Sequence, residues 1–357
     1  MPKPRYLAPW HQPDLIDAMK ESDGLSPEEL AALRGKPAIY HCISRVVDRQ
    51  FVLGDAEREQ FVRYMRLYEA FSQVRVLTHC VMSNHFHILL EVPAPPPDRG
   101  ASWSDRKFLK HLEGLYSPVE LGAIAWKLRE LRKHSTQDAA VAFRERYFRR
   151  MWDLSQFMKT LKQRFTRWFN RNHGRKGTLW EERFKSVLVE DGHAARTMAA
   201  YIDLNPVRAG IVEDPKDYRW CGYAEAVAGK ERAREGLQRV MFEAEAAGSS
   251  EELAAGLLLS WRRTAYRYRE SLYLNLNRHE ANLDPEGAPQ LTEAQALRCR
   301  VRYFIDGLAI GSQRFIDEVF GLSRGRFGER RTSGARKMRR IDTPLRTLRD
   351  LQKKAVG

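Results

Sequence analysis

The sequence is poor in cysteine and has no long apolar run. It contains four cysteines, Cys42, Cys80, Cys221 and Cys299, and no two of them form a CxxC pair. A disulfide scaffold and a cysteine-based zinc site are therefore both disfavoured, and reduced thiols are expected. No stretch approaches the roughly 18 apolar residues of a membrane span, and no apolar signal core follows the N-terminus. We expect a cytoplasmic protein that does not use a membrane as its partner.

Acidic residues are outnumbered by basic ones. The 357 residues include 61 Lys and Arg against 46 Asp and Glu, which gives a formal net charge of +15. This excess indicates a polyanionic partner, with nucleic acid the first candidate and an anionic membrane surface the second. Hydrophobic residues make up 43% of the chain, enough for a sizeable core. Charge alone does not separate a DNA enzyme from a DNA-binding scaffold or a ribosome-associated protein.

The apolar pattern predicts the order β-α-β-β-insert-α-β-α. Strand patterns cover residues 38–46, 74–81, 86–92 and 184–190, and helical patterns cover 55–71, 154–172 and 194–204. The second and third strands form a hairpin with its turn at Met82–Ser83–Asn84. Hairpin-connected strands with helices between them are typical of an α+β fold with an antiparallel sheet.

The segments predict four regions and one linker. We assign residues 1–35 to a leader and 36–225 to a core domain with a basic helical insert at about 93–151. Residues 226–280 form a helical segment, 281–290 a linker, and 291–357 a helical, basic C-terminal region. In that last region, helices over 292–304 and 312–320 begin at Thr292 and Ser312. They form either a DNA-reading helix-turn-helix or a small helical pair with its own core.

Two histidines occupy the start of the second hairpin strand. His85 and His87 flank Phe86, and the side-chain period of a strand places both imidazoles on one face. Such a pair is suited to a divalent metal ion that prefers nitrogen and oxygen ligands. The alternative is a histidine pair at a strand end that binds nothing.

Tyr201 and Asn205 lie four residues apart in the last core helix, so they share a helical face. Taken singly, they would be a core tyrosine and a turn residue before Pro206. Together with the histidines they suggest a reaction. A tyrosine hydroxyl, with a pKa of about 10, attacks a phosphodiester when a metal polarises it. His85, His87 and the Asn205 amide oxygen predict a Mg²⁺ or Mn²⁺ site, with Tyr201 as the nucleophile.

Several stretches together resemble a known family. They are YHCISR (Tyr40–Arg45), VMSNHFHILLEV (Val81–Val92), GTLWEERFKS (Gly177–Ser186), YIDLNPVRAGIV (Tyr201–Val212) and DYRWCGYAEAVAG (Asp217–Gly229). In this order they are similar to the REP-associated tyrosine transposases, a branch of the IS200-like single-tyrosine HUH transposases. The resemblance covers residues 37–229. The insert is longer than the family pattern, and Asp203 stands where many members carry histidine.

The resemblance implies a ferredoxin-like antiparallel sheet carrying His85 and His87, the HUH endonuclease core, and a helix carrying Tyr201. It implies an enzyme that cleaves and rejoins single-stranded DNA at hairpin, REP-like repeats through a covalent 5′-phosphotyrosine, acting as a monomer or homodimer. Ten basic residues are the predicted DNA contacts: Lys159, Lys162, Arg164, Arg167, Arg171, Arg175, Lys176, Arg183, Lys185 and Arg208. The alternatives are a non-catalytic DNA-binding protein on the same fold, an HUH replication initiator or relaxase, and a metallohydrolase.

Overall fold

The computed structural model describes residues 6–12, 15–16, 26–134, 137–242, 260–273, 291–299 and 301–351. The predicted linker at 281–290 lies outside them, as do parts of the predicted leader and of the helical segment 226–280. Contacts divide the chain into two compact units. We call residues 1–53, 76–91 and 180–357 the sheet unit, and residues 54–75 and 92–179 the helical unit. The domain boundaries given above remain predictions.

The elements follow one another in the predicted order up to α7. The first half of the chain contains α1 (Pro27–Gly35), β1 (Ala38–Arg45), α2 (Asp55–Ser72), β2 (Arg75–Val81), β3 (His85–Val92), α3 (Asp105–Glu113), α4 (Pro118–His134), α5 (Gln137–Phe148) and α6 (Leu154–Asn172). The second half contains β4 (Lys185–Val189), α7 (His193–Asp203), α8 (Asn205–Arg208), α9 (Gly222–Val227), α10 (Glu231–Met241), α11 (Trp261–Tyr273), β5 (Leu291–Thr292), α12 (Glu293–Leu297), α13 (Tyr303–Asp306), β6 (Ala309–Gly311), α14 (Gln313–Gly321), β7 (Arg336–Lys337), β8 (Ile341–Asp342) and β9 (Arg346–Leu348).

A seven-stranded sheet organises the sheet unit, in the order β2-β3-β1-β4-β6-β9-β7. The pairs β1–β4, β6–β9 and β7–β9 are antiparallel, whereas β4–β6 is parallel. Seven of the eight residues of β1 are buried, because this central strand is covered on both faces. The mostly antiparallel sheet with its many helices agrees with the predicted α+β class.

The helical unit contains α2, the three helices of the insert, and α6. The predicted helix 154–172 is confirmed, and it begins where the Asp153 side chain accepts a hydrogen bond from the Gln156 backbone amide. Its apolar face is buried, and Phe165 packs edge-on against Phe61 of α2 with ring centroids 5.2 Å apart. The insert is helical, as predicted, and forms three helices.

The C-terminal region differs from the prediction of a mainly helical extension. The predicted helix 292–304 is wrong: α12 ends at Leu297 and α13 begins at Tyr303. The strands β6, β9 and β7 extend the main sheet, so β6 lies between the two segments that a helix-turn-helix would have joined. These strands have two or three residues each, too short for an alternating pattern to identify them. Thr292 and Ser312 are N-caps, as predicted.

Among the helices that the structure describes, none has both the length and the apolar composition needed to cross a bilayer.

Candidate active site

The predicted histidine pair and tyrosine converge on one cleft of the sheet unit. His85 and His87, on β3, have ring centroids 5.1 Å apart, and the His87 ring lies 6.3 Å from that of Tyr201 on α7. The cleft has a volume of about 320 Å³, and Asn205 and Arg208 also line it. Five residues selected from the sequence are thus brought together from two distant segments of the chain.

The helical break after Tyr201 positions Asn205. The helix α7 ends at Asp203, and α8 begins at Asn205 with Pro206 in its first turn. Proline is tolerated there because a first-turn residue needs no intrahelical N–H bond. The chain therefore continues as a new helical turn where the sequence predicted an end. The Asn205 side-chain amide donates to the Ile202 carbonyl at 3.2 Å, and this leaves Oδ1 as its acceptor atom.

Tyr201 is buried, with 1% of its surface exposed, between the ring of Phe304 and the guanidinium of Arg208. The Phe304 ring of α13 meets it edge-on at a centroid distance of 4.9 Å. The Arg208 guanidinium carbon lies 4.0 Å from the Tyr201 ring centroid, and Nη1 donates to the Leu297 carbonyl at 2.7 Å. Arg208 Nη2 has no hydrogen-bond partner among the described residues. A nearby positive charge favours a phenolate over a phenol.

A third histidine, His41 of β1, completes the cluster. Its Nδ1 lies 2.8 Å from the Phe304 carbonyl oxygen, and its Nε2 lies 2.8 Å from Nδ1 of His87. Burial lowers the pKa of His41 to about 4. Burial, followed by the proximity of His41 and His85, holds the pKa of His87 well below its usual value. Both rings are therefore neutral near pH 7.

His85 is oriented by the residue before it. Its Nδ1 lies 2.6 Å from Oδ1 of Asn84, whose amide nitrogen donates to the Arg49 carbonyl at 3.0 Å. Since that amide nitrogen is the donor to Arg49, Oδ1 is the acceptor facing His85. Asp48 and Arg49 have positive φ angles of 54° and 56°, a conformation that strains residues other than glycine. Such strain is typical of functional sites.

The donor set is compatible with a divalent metal ion, although it is small. Within the described ranges no group of three or more His, Cys, Asp and Glu side chains is placed to hold a metal. The available donors are the imidazoles of His85 and His87 and the amide oxygen of Asn205. Two nitrogen ligands and one oxygen ligand leave open positions for a substrate, as catalytic sites require.

The cleft is basic. The described residues that line it include Arg45, Arg49, Arg208 and Arg298 and no acidic side chain. A second, smaller cleft shares Arg45 and Arg49 with it and adds Arg183 and Lys185, together with Glu181 and Glu182. Lys185 also pairs with Asp306 at 2.9 Å. Clustered arginines with few acidic neighbours are suited to phosphate groups.

The predicted DNA-contacting residues are divided between the two units. Arg183, Lys185 and Arg208 belong to the sheet unit and line the two clefts. The other seven belong to the helical unit, on α6 and the loop after it. Of these, Lys159, Arg167, Arg171 and Lys176 are exposed, and Lys162, Arg164 and Arg175 are half-buried.

Sequence reasoning missed His41, Arg45, Arg49, Asn84, Arg298 and Phe304 as residues of the site. His41 and Arg45 alternate along β1 with the period of one strand face, so their shared orientation was detectable. Nothing in the spacing connects His41 with His87, since strand pairing alone brings them together. Arg298 and Phe304 lie in the C-terminal region, far from the motifs.

No protein-family model and no curated protein matches the chain. Among solved structures, the chain is similar to a REP-associated tyrosine transposase bound to a REP hairpin, with a TM-score of 0.31 and 14% identity over 54% of this chain and 80% of that one. A likeness of this size carries no argument about function, which has to come from the residues of the cleft.

Proposed function

We propose that this protein is a metal-dependent DNA endonuclease and strand transferase, which cleaves and rejoins single-stranded DNA at hairpin repeats through a phosphotyrosine at Tyr201. The observation that carries the proposal is the convergence of Tyr201, His85 and His87 on one cleft lined by four arginines. A tyrosine in an acid-free, arginine-lined cleft beside two imidazoles has the surroundings that attack on a phosphodiester requires.

The reaction exchanges one phosphate ester for another. The Tyr201 hydroxyl oxygen forms a bond to phosphorus while the bond from phosphorus to the DNA 3′ oxygen breaks. The phenol loses a proton and the departing 3′ oxygen gains one, so protons and charge balance. The number of ester bonds is conserved, and a second 3′ hydroxyl can therefore reverse the step and rejoin the strands without an external energy source.

The residues of the cleft have separate roles in this step. Bound Mg²⁺ or Mn²⁺ would polarise the scissile phosphate, and His85, His87 and Asn205 would hold it. Arg208, beside the ring of Tyr201, stabilises the developing phenolate. Arg45, Arg49 and Arg298 line the space where the phosphates of the strand bind.

The strand order supports a ferredoxin-like core as part of the same proposal. The first four strands lie in the order β2-β3-β1-β4 and follow the sequence β-α-β-β-α-β when the insert is left out. This is the arrangement of a split βαβ unit with a hairpin. It places β3, with the histidine pair, next to the central strand β1.

The decisive experiment detects the covalent intermediate. Purified protein is incubated with labelled hairpin DNA and Mn²⁺, and the product is denatured and mapped by mass spectrometry. We expect a protein–DNA adduct on the peptide that contains Tyr201. The adduct should be absent in Tyr201→Phe and present in Tyr266→Phe, a control on α11 whose side chain is exposed.

Two other results of this experiment would contradict all or part of the proposed function. DNA binding without any adduct, on hairpins from the flanks of the gene, would contradict the proposal and favour a non-catalytic DNA-binding protein. Undiminished cleavage in EDTA would contradict the metal requirement while leaving the tyrosine chemistry in place.

A further inference from the structure

We infer that His41 is a positioning residue for His87, which it holds in the one tautomer that can bind a metal ion through Nε2. The metal-binding role of His87 rests on the proposed function. The tautomer does not, because it follows from hydrogen bonds between His41, His87 and the Phe304 backbone.

The Phe304 carbonyl determines which nitrogen of His41 carries the proton. A carbonyl oxygen only accepts hydrogen bonds, so the His41 Nδ1 atom, 2.8 Å away, must carry the proton. A neutral imidazole has one N–H, and His41 Nε2 is therefore an acceptor. The facing His87 Nδ1, at 2.8 Å, has to donate. The proton of His87 is thus on Nδ1, and its lone pair is on Nε2.

The geometry of the two rings fits a direct hydrogen bond. The His41 and His87 planes are inclined by only 14°, and their centroids are 5.0 Å apart. Two rings that meet edge to edge with 2.8 Å between their nitrogens have centroids this far apart. The centroids of two rings stacked face to face would be closer together. Both residues are buried, with 1% and 2% of their surfaces exposed, so water does not compete for these nitrogens.

The reversed arrangement would require a charged ring. If His41 donated from both nitrogens it would be an imidazolium, and His87 would then present an N–H instead of a lone pair. Both rings are buried, and the described residues of the adjoining cleft include four arginines and no carboxylate that could pair with an imidazolium. The neutral chain from Phe304 through His41 to His87 is therefore favoured. Metal-binding histidines generally depend on such a partner at their second nitrogen.

The tautomer can be read by nuclear magnetic resonance. Long-range ¹H–¹⁵N spectra of metal-free protein with ¹⁵N-labelled histidine show which ring nitrogen carries the proton. The His87 signals are assigned by their absence in His87→Gln. We expect a protonated Nδ1 and a bare Nε2 on His87. A protonated Nε2 on His87 in the wild-type protein would overturn the inference, whether or not His41→Leu folds.

Metal affinity provides the second measurement. His41→Leu removes the acceptor, and we expect Mn²⁺ binding, measured by calorimetry, to weaken about 10- to 100-fold. His41→Gln should restore most of it, because the side-chain amide can donate to the Phe304 carbonyl and accept from His87. The control is His111→Gln, in the helical unit, where a histidine also bonds a backbone carbonyl. Wild-type Mn²⁺ affinity in folded His41→Leu would contradict the inference.

The two proposals fail separately. A protein that forms no adduct at Tyr201 but has the expected His87 tautomer and loses Mn²⁺ binding in His41→Leu would contradict the proposed function alone. Adduct formation with the opposite tautomer would contradict only the role of His41.

Discussion

Arg208 stands over the ring of Tyr201, with its guanidinium carbon 4.0 Å from the ring centroid. The guanidinium is held there by a hydrogen bond of 2.7 Å to the Leu297 carbonyl. Burial lowers the pKa of Arg208, but its ordinary value is so high that the group stays charged. The residue selected from the sequence as a DNA contact therefore also contacts the proposed nucleophile.

This contact predicts that Arg208→Met slows formation of the phosphotyrosine adduct by about tenfold or more, since a desolvated cation on a ring contributes about 1–2 kcal/mol. Single-turnover rates of adduct formation measure the effect. Arg208→Lys, which retains the charge, should lose less, and equal rates for wild type and Arg208→Met would contradict the assignment.

Asp203 predicts a pH dependence of stability. It is fully buried, accepts hydrogen bonds from Thr78 and Tyr268, and burial raises its pKa to about 7. The folded state therefore retains a proton that the unfolded chain releases near pH 4, and the free energy of unfolding should fall as pH rises from about 4 to 7. The stability that this proton contributes at low pH is lost as the pH rises through the folded-state pKa of Asp203, about 7.

Asp203→Asn has no carboxyl proton to lose, so its stability should change less over this range. Urea unfolding of both proteins at pH 5 and pH 8 provides the comparison, since contributions from other groups cancel. A wild-type stability that falls no more steeply than that of Asp203→Asn would show that the carboxyl titrates normally.

Arg49 lines both clefts, and we expect Arg49→Ala to weaken binding of single-stranded DNA. The loss of one phosphate contact should also reduce the slope of log affinity against log salt by about 0.7. Fluorescence anisotropy at several salt concentrations measures both quantities. Arg263→Ala, on an exposed position of α11, is the matched control. Equal affinities and slopes for the two variants would rule out a phosphate contact at Arg49.

Gly236 of α10 lies so close to the backbone of β2 that a side chain would not fit there. A Cβ atom there would lie 2.6 Å from the Leu77 carbonyl oxygen and 2.7 Å from that of Val76, both backbone atoms of β2. Gly236→Ala should therefore destabilise the fold by about 1–3 kcal/mol, although alanine favours helices. Gly122→Ala, in open space on α4, should instead stabilise it by about 0.5–1 kcal/mol. Chemical denaturation of the two variants shows whether the free energy of unfolding falls in Gly236→Ala and rises in Gly122→Ala.

The sequence predicted those elements whose patterns are long. The helix 154–172 was predicted to its last residue, and β1 and the two hairpin strands each differ from the prediction by one residue. His85 and His87 share one face of β3, whereas Tyr201 and Asn205 reach the cleft from the two sides of the break between α7 and α8. Periodicity alone left a histidine pair that binds nothing and a core tyrosine as alternatives, and the combination of motifs selected these residues.

The remaining parts of the site depend on contacts between distant segments. His41 meets His87 only because β1 is next to β3, and Phe304 meets His41 only because α13 packs on β1 and β4. The role of Phe304 toward His41 belongs to its backbone carbonyl, which every residue has. The amino-acid type at position 304 therefore gives no indication of this role. The break between α12 and α13 was hidden in a continuous helical pattern.

The parallel pairing of β4 with β6 has a consequence for synthesis of the chain. Leu188 and Val189 pair with Ala309 and Ile310, which the ribosome adds about 120 residues later. Until then, the outer edge of β4 exposes unpaired backbone groups, and an unpaired edge invites association with another chain. Lys185 at the start of β4 is a charge of the kind that discourages such association. The nascent protein thus passes through a state in which His41 and His87 have been synthesised but the Phe304 carbonyl that bonds His41 has not.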